Sequence, residues 1–157
     1  MTRRRVVLAS VLALAALSAA ALAVASVLTS DDALPPPWVR VITVEELQAR
    51  RVVYSETADA YVVDADAGIR ALLARSTQKG EPVRYCITSG WFEDLHHGSM
   101  FDSLGRYVLG PAPRGLDLLD VAVVSGDVWV DPTQLTTGPP SGARDLSPTG
   151  PFCWRGD

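Results

Sequence analysis

The order of apolar and polar residues divides the chain into an apolar N-terminal segment and a longer part with short apolar runs. Residues 6–28 contain no charged side chain and follow three consecutive arginines. A helix of these 23 residues is about 34 Å long and can cross a hydrocarbon core of about 30 Å. The pattern predicts one N-terminal transmembrane helix at residues 1–30. A cleaved signal segment is the alternative, because Ala23-Val24-Ala25 is typical of a cleavage site.

The next residues predict a linker, then a strand followed by a helix. Residues 31–37 contain two aspartates and three prolines, a composition typical of a stiff, extended linker. In WVRVITVEELQARR, which begins at residue 38, a β-branched run precedes a helical pattern. Thr43 is the expected N-cap of that helix, and Glu46 completes a capping box.

Short apolar runs separated by turns predict antiparallel strands in the rest of the chain. The runs are RVVYS, AYVVD and IRALLA, followed by DVAVV and DVWVD. Ser125 and Gly126 separate the last two runs and predict a hairpin, with Trp129 packed on one of its faces. The predicted fold class is mainly β, with small antiparallel sheets at residues 38–135. Residues 136–157 form a tail rich in Pro, Gly and Ser, which has no periodic pattern.

The charge distribution restricts partners and location. All 18 acidic residues follow position 30, as do 11 of the 14 Lys and Arg residues, so this part has a net charge of −7. A basic nucleic-acid-binding surface is thereby excluded. The arginines before the apolar segment predict a single-pass cell-membrane protein whose C-terminal domain is extracytoplasmic, or secreted if the segment is cleaved. TRRRVVLAS also resembles a twin-arginine export signal, and an ordinary basic n-region is the alternative.

The chain has two cysteines, Cys86 and Cys153. In an exported domain such a pair predicts one disulfide, here between the β domain and the tail. A closed loop of about 67 residues is stabilised by about 4 kcal/mol in the chain-entropy model. Two cysteines cannot supply a site that needs four thiolates.

The segment HHGSMFDSLGRYVLGPAPRGL, residues 96–116, resembles the second cluster-binding loop of Rieske iron–sulfur proteins. That loop reads Cys-Pro-Cys-His-Gly-Ser, one residue, Phe-Asp, then Gly and a Gly-Pro-Ala-Pro segment. The residues that agree in order and spacing are His97, Gly98, Ser99, Phe101, Asp102, Gly105, Gly110, Pro111, Ala112 and Pro113. An agreement of this length is specific, whereas His-Gly-Ser alone is not.

An upstream segment, STQKGEP at residues 76–82, resembles the first Rieske loop, Cys-Thr-His-Leu-Gly-Cys-Pro. Its threonine, glycine and proline agree in identity. Between Gln78 and Asp94 there are 15 residues, which fits the spacing of the family. The resemblance covers residues 38–132 and implies the Rieske arrangement of small antiparallel sheets.

A Rieske centre is held by two cysteine thiolates and two histidine nitrogens, and this chain retains one of the four. Ser76 and Asp94 stand at the thiolate positions, Gln78 stands at one imidazole position, and only His97 is retained. Because cluster iron favours sulfur ligands, we expect a Rieske fold without a functional cluster and without a cofactor. The cysteine pair that bridges the loops in many relatives is replaced by Glu81 and His96.

The loop that has lost these ligands is expected to be a hydrogen-bonded tip with Asp94 as an acceptor. Ser99, whose partner in the family is a cluster sulfur, is expected to cap the loop, and Gly110 and Pro111 are expected to keep its shape. A mononuclear metal site that includes His97 is an open alternative, as is a rearranged cluster that uses the two cysteines. A Ser-His-Asp hydrolase is disfavoured because the three side chains are adjacent in sequence and no nucleophile-elbow motif is present.

The sequence therefore predicts a membrane-anchored, extracytoplasmic accessory or interaction domain that is non-redox. It leaves enzymatic activity open, and any activity would be electron transfer rather than hydrolysis. Its expected partners are the membrane and a respiratory or other membrane protein complex. The alternatives are an electron-transfer Rieske protein with an atypical [2Fe–2S] cluster and a mononuclear metal-binding domain.

Overall fold

The structure is a computed structural model, and it describes residues 33–66, 68–142 and 146–153. The N-terminal segment predicted as a membrane helix or signal, residues 1–30, lies outside this part, as do the first two residues of the predicted linker. Among the described residues, no helix is long and apolar enough to cross a membrane.

Short strands and one helix, α1 (Val44–Arg50), form the described part of the chain. In chain order the strands are β1 (Val39–Thr43), β2 (Val52–Ser55), β3 (Ala60–Ala65), β4 (Gly68–Leu73), β5 (Val83–Cys86), β6 (Trp91–Asp94), β7 (Met100–Phe101), β8 (Tyr107–Leu109), β9 (Leu118–Val124) and β10 (Asp127–Thr136). One sheet has the order β1-β10-β9-β4-β3-β2, and a smaller sheet has the order β5-β6-β7-β8. The pairings are antiparallel, so the predicted mainly β class is confirmed.

The apolar runs of the sequence form the strands of the larger sheet. Three runs form β2, β3 and β4, and the last two form β9 and β10. Ser125 and Gly126 connect β9 to β10 with φ angles of 51° and 84°. Positive φ at both central residues is typical of a type I′ turn, which suits the twist of a hairpin. Trp129 in β10 is buried, as expected.

Helix α1 begins directly after β1, and a capping box sets its start. The backbone amide of Glu46 donates to the Thr43 hydroxyl over 3.1 Å, and the amide of Thr43 donates back to the Glu46 carboxylate over 3.4 Å. These bonds satisfy amides that have no partner within the helix. Leu47, which is fully buried, packs the helix into the core. The predicted capping box is confirmed.

Two apolar clusters hold the strands together. The first packs α1 against the larger sheet and includes Leu47 and Val62. The second includes Leu72 of the larger sheet together with Phe92 and Phe101 of the smaller sheet. Because this second cluster contains side chains from both sheets, burial of its apolar surface fixes the smaller sheet on the larger one.

Tyr61 of β3 also connects the two sheets. Its hydroxyl donates to the carbonyl of Val83 in β5 over 3.3 Å, and its ring centroid lies 5.0 Å from that of Phe92. Burial raises the pKa of Tyr61 above its ordinary value. The neutral hydroxyl therefore holds the beginning of β5, where the candidate site also lies.

The tail is attached to the smaller sheet through a disulfide. Cys86, the last residue of β5, is bonded to Cys153 with an S–S distance of 2.06 Å. The predicted disulfide is confirmed. The amide of Thr149 donates to the carbonyl of Ser89, and the ring of Phe152 contacts that of Trp91 in a tilted arrangement with centroids 5.7 Å apart. The described end of the tail is thus fixed although it forms no strand.

Candidate functional site

Two loops meet at one end of the hairpin formed by β5 and β6. The first loop, residues 74–82, connects β4 to β5, and the second loop, residues 95–99, connects β6 to β7. Val83 pairs with Asp94 at this end of the hairpin, whereas Cys86 pairs with Trp91 at the other end. The first loop therefore ends beside the residue at which the second loop begins.

Main-chain hydrogen bonds close the first loop on itself. The amide of Ser76 donates to the carbonyl of Glu81 over 2.7 Å, and the amide of Gly80 donates to the carbonyl of Ser76 over 2.9 Å. The Thr77 hydroxyl donates to the carbonyl of Arg114 over 2.8 Å. Ser76 is buried, and its hydroxyl oxygen lies 3.5 Å from the amide of Gln78. The loop shape thus depends on the backbone more than on the side chains at the ligand positions.

In the second loop, Asp94 organises the backbone. Its side chain is fully buried, and its Oδ1 atom accepts hydrogen bonds from the amides of His96 at 2.9 Å and His97 at 3.0 Å. Its own amide and carbonyl bond to Ser99 and Gly98. A carboxylate that accepts two amide bonds in this way stabilises the tight turn of the loop.

Glu81 and His96 connect the tips of the two loops. Nε2 of His96 lies 4.0 Å from Oε2 of Glu81, and the His96 side chain is mostly exposed whereas that of Glu81 is partly exposed. These are the positions at which the resemblance places the bridging cysteines of many Rieske proteins. An exposed contact of this kind stabilises a fold by less than about 1 kcal/mol, far less than a covalent bridge.

Ser99 connects the second loop to the Gly-Pro-Ala-Pro segment. Its hydroxyl is fully buried and accepts a hydrogen bond of 3.1 Å from the amide of Ala112. Gly110 has φ of 99°, and a Cβ atom there would lie 2.6 Å from the carbonyl oxygen of Gly98. Pro111 stands between these two contacts. The segment therefore lies directly against the second loop.

Three of the four positions that match cluster ligands carry a buried polar atom without a hydrogen bond in the described part of the chain. The atoms are Oε1 of Gln78, Oδ2 of Asp94 and Nδ1 of His97. The last two face each other at 3.7 Å, which is too long for a hydrogen bond. A fourth such atom, Nε1 of Trp129, belongs to β10 and not to the loops. Orphaned buried polar atoms are rare in folded proteins, so their concentration at this tip is a distinctive feature.

The two cysteines lie away from this tip. Cys86 is three residues from Val83 along β5, which is about 10 Å at a rise of about 3.4 Å per residue. The two sulfur atoms and the carboxylate of Glu93 lie within 4.8 Å of one another, but the sulfurs are bonded to each other and supply no thiolate. A rearranged cluster with these cysteines as ligands therefore does not fit the geometry.

Glu93 is a buried residue beside the disulfide whose role the sequence did not reveal. Its carboxylate accepts hydrogen bonds from the Ser89 hydroxyl at 2.7 Å and from the amide of Cys153 at 3.3 Å. It thereby helps to hold the tail beside the disulfide. The available signal was a pair of acidic residues directly after the aromatic pair in WFED, residues 91–94, since a carboxylate drawn into the interior beside aromatic side chains needs a buried partner.

Comparison with known proteins gives a structural match to a Rieske protein. The plasma-membrane Rieske protein PetC3 from the cyanobacterium Synechocystis PCC 6803 is 26% identical over 59% of this chain and 97% of its own length, with a TM-score of 0.50. This chain has a Rieske-like fold. The soluble domain of the Rieske protein II, soxF, from Sulfolobus acidocaldarius is 14% identical over 71% of this Rieske-like chain and 85% of its own length, with a TM-score of 0.49. No protein-family model and no curated protein matches the sequence.

The donor atoms of the Rieske-like site do not fit a [2Fe–2S] cluster. Such a cluster needs two thiolates and two imidazoles, and the matching positions carry a hydroxyl, an amide, a carboxylate and one imidazole. Both sulfur atoms of the cysteines are held in the disulfide. The chain is consistent with a degenerate Rieske domain, because three of the four positions that match cluster ligands carry other residue types.

Proposed function

We propose that the protein is a non-redox accessory or interaction domain with a Rieske-like fold and without an iron–sulfur cluster. One observation carries this proposal. The thiolate positions hold Ser76 and Asp94, and Asp94 uses one carboxylate oxygen to accept two backbone amides. A hydroxyl and a carboxylate are hard oxygen donors, and they do not replace the two thiolates that cluster iron favours.

The proposed location is the outer side of the cell membrane, with the N-terminal segment as a single-pass anchor. Two features support it. A disulfide such as Cys86–Cys153 persists in an oxidising compartment, and PetC3, the Rieske protein with the structural match, is described as a plasma-membrane protein. The proposed partners are the membrane and a membrane protein complex, of the respiratory class or another.

The experiment is an iron and sulfide assay on the full-length protein, expressed with its own N-terminal segment and purified from washed membranes. We expect the protein in the membrane fraction, colourless, and with neither iron nor acid-labile sulfide in stoichiometric amount. A brown protein with a rhombic electron paramagnetic resonance signal after reduction would contradict the proposal and favour the electron-transfer alternative.

A restored variant serves as the matched control for cluster loading in the same host. The triple substitution Ser76→Cys, Gln78→His and Asp94→Cys places the Rieske ligand types on the loops of this chain. Main-chain bonds close the first loop, and in the second loop those of Asp94 with Gly98 and Ser99 remain after the substitution. We therefore expect this variant to acquire iron and sulfide where the unchanged chain does not, although it loses the carboxylate that accepts the amides of His96 and His97.

A further inference from the structure

We propose that Asp94 and His97 bind one divalent transition-metal ion of the zinc type, with Gln78 as a third ligand. The proposal goes beyond the accessory role above and does not depend on it. It concerns a mononuclear site of hard and borderline donors, and it involves no sulfide and no change of oxidation state. The observation behind it is the set of orphaned atoms at the loop tip, Oδ2 of Asp94, Nδ1 of His97 and Oε1 of Gln78.

The distance between the two central atoms fits ligands of one ion. Oδ2 of Asp94 and Nδ1 of His97 are 3.7 Å apart. Zinc binds carboxylate oxygen and imidazole nitrogen at about 2.1 Å, so two ligands at a tetrahedral angle lie about 3.4 Å apart. A hydrogen bond between the same atoms would measure about 2.7–3.2 Å. The pair therefore needs a smaller movement to hold an ion than to share a proton.

The carboxylate is oriented in advance. Oδ1 of Asp94 accepts the amides of His96 and His97, and this fixes the plane of the carboxylate and leaves Oδ2 directed away from those amides. The side chain is fully buried, so water does not freely solvate the remaining oxygen. A buried carboxylate oxygen without a partner destabilises the fold, and a bound cation would remove that penalty.

A metal ion can reach the proposed site from solvent beside the partly exposed imidazole of His97. The side chain of His97 is 27% exposed, in contrast to that of Asp94. Gln78 lies on the first loop, whose later residue Glu81 contacts His96 of the second loop. The three ligand residues therefore come from two loops that meet. Imidazole with carboxylate and amide oxygen suits zinc and neighbouring divalent ions, and water would complete the coordination.

The test is a titration of the full-length, chelator-treated protein in detergent with Co²⁺, followed by displacement with Zn²⁺. We expect visible d–d absorption that saturates at one Co²⁺ per chain and disappears when Zn²⁺ is added. Gln78→Leu should weaken binding at least about tenfold, equivalent to about 1.4 kcal/mol.

Two substitutions at the central pair test the metal site independently, so that misfolding of one variant does not decide the result. Asp94→Asn keeps the Oδ1 acceptor for the two backbone amides and puts an amide group where Oδ2 was, from which it can donate to Nδ1 of His97. This variant should lose metal binding and melt at a higher temperature than the metal-free unchanged protein. His97→Ala should also lose binding.

His96→Ala is the matched control, because this neighbouring imidazole is mostly exposed and faces Glu81. It should bind Co²⁺ as the unchanged protein does. The proposal is overturned if no saturable one-to-one binding occurs, if Asp94→Asn binds as well as the unchanged chain, or if His96→Ala loses the signal instead. Iron found together with sulfide would overturn the proposed cluster-free function, whereas failure of the titration alone overturns only this site.

Discussion

At the scale of single residues, Ser99 has a structural role in this chain that needs no cluster. Its buried hydroxyl accepts the amide of Ala112 and so joins the second loop to the Gly-Pro-Ala-Pro segment. Because Ala112 is itself buried, solvent does not readily replace the Ser99 hydroxyl as the partner of this amide. The serine is therefore required by the loop architecture, whether or not a metal is bound.

Ser99→Ala tests this role. The substitution leaves a buried amide without an acceptor, so we expect the free energy of unfolding to fall by about 1–3 kcal/mol. Urea unfolding followed by fluorescence measures it. The control is Ser55→Ala, because the Ser55 hydroxyl accepts the amide of Ala58 over a longer 3.3 Å and is only partly buried. Equal losses in the two variants would contradict the argument.

The sequence predicts which residues occupy the ligand positions, because spacing and identity along a loop are visible in it. It does not predict that Oδ2 of Asp94 and Nδ1 of His97 face each other without a hydrogen bond, since that depends on side-chain directions. The role of Glu93 was hidden for the same reason. Successive residues of a strand point to opposite faces, and only the structure shows that one face of β6 holds the tail and the other supports the loop.

At the scale of elements, the Gly-Pro-Ala-Pro segment after β8 packs directly on the second loop. Gly110 has positive φ and leaves no room for a side chain, because a Cβ atom would lie 2.6 Å from both the Gly98 oxygen and the Ser99 Cα atom. Gly98 also has positive φ, at 74°, but nothing lies within 4 Å of its Cβ position. Gly98 is therefore favoured only by its backbone angle, whereas Gly110 is required both by its backbone angle and by the close approach of the second loop.

Gly110→Ala should therefore be more destabilising than Gly98→Ala. The second substitution pays only for the left-handed backbone, about 1–2 kcal/mol, whereas the first also forces two segments of main chain apart. Thermal unfolding of both variants measures the difference. If the two variants have the same melting temperature, the segment does not constrain the loop as described.

The elements that the sequence predicted are those with enough residues to show a pattern. The strands of the larger sheet and the capped helix each have four or more residues with recognisable alternation or caps. β7 has two residues and β8 has three, too few for a periodic signal. β6 is buried at every position, including Glu93 and Asp94, so its two acids obscured a strand that tertiary packing requires.

At the scale of the whole described domain, the two ends of the hairpin formed by β5 and β6 have different structural roles. One end carries the loops, and the other carries the disulfide between Cys86 and Cys153 together with the tail. The tail contributes a few hydrogen bonds and the contact of Phe152 with Trp91. Without the covalent link, these contacts would have to hold residues that form no strand.

The double substitution Cys86→Ala and Cys153→Ala should lower the free energy of unfolding by about 4 kcal/mol, the value expected for a loop of about 67 residues. Chemical denaturation measures the loss. Reductant should bring the unchanged protein to the stability of the double variant and should leave the double variant unaffected. A loss below about 1 kcal/mol would show that the tail is held mainly by its other contacts.

The first loop is closed by bonds from main chain to main chain, such as that between Ser76 and Glu81, and this has an evolutionary consequence. Its shape does not depend on the donor atoms of residues 76 and 78, so a lineage could exchange those side chains singly and still pass on a foldable protein. Asp94 is the exception, because its carboxylate supports the second loop. Among single replacements at positions 76, 78 and 94 of this chain, Asp94→Cys should accordingly be the most destabilising.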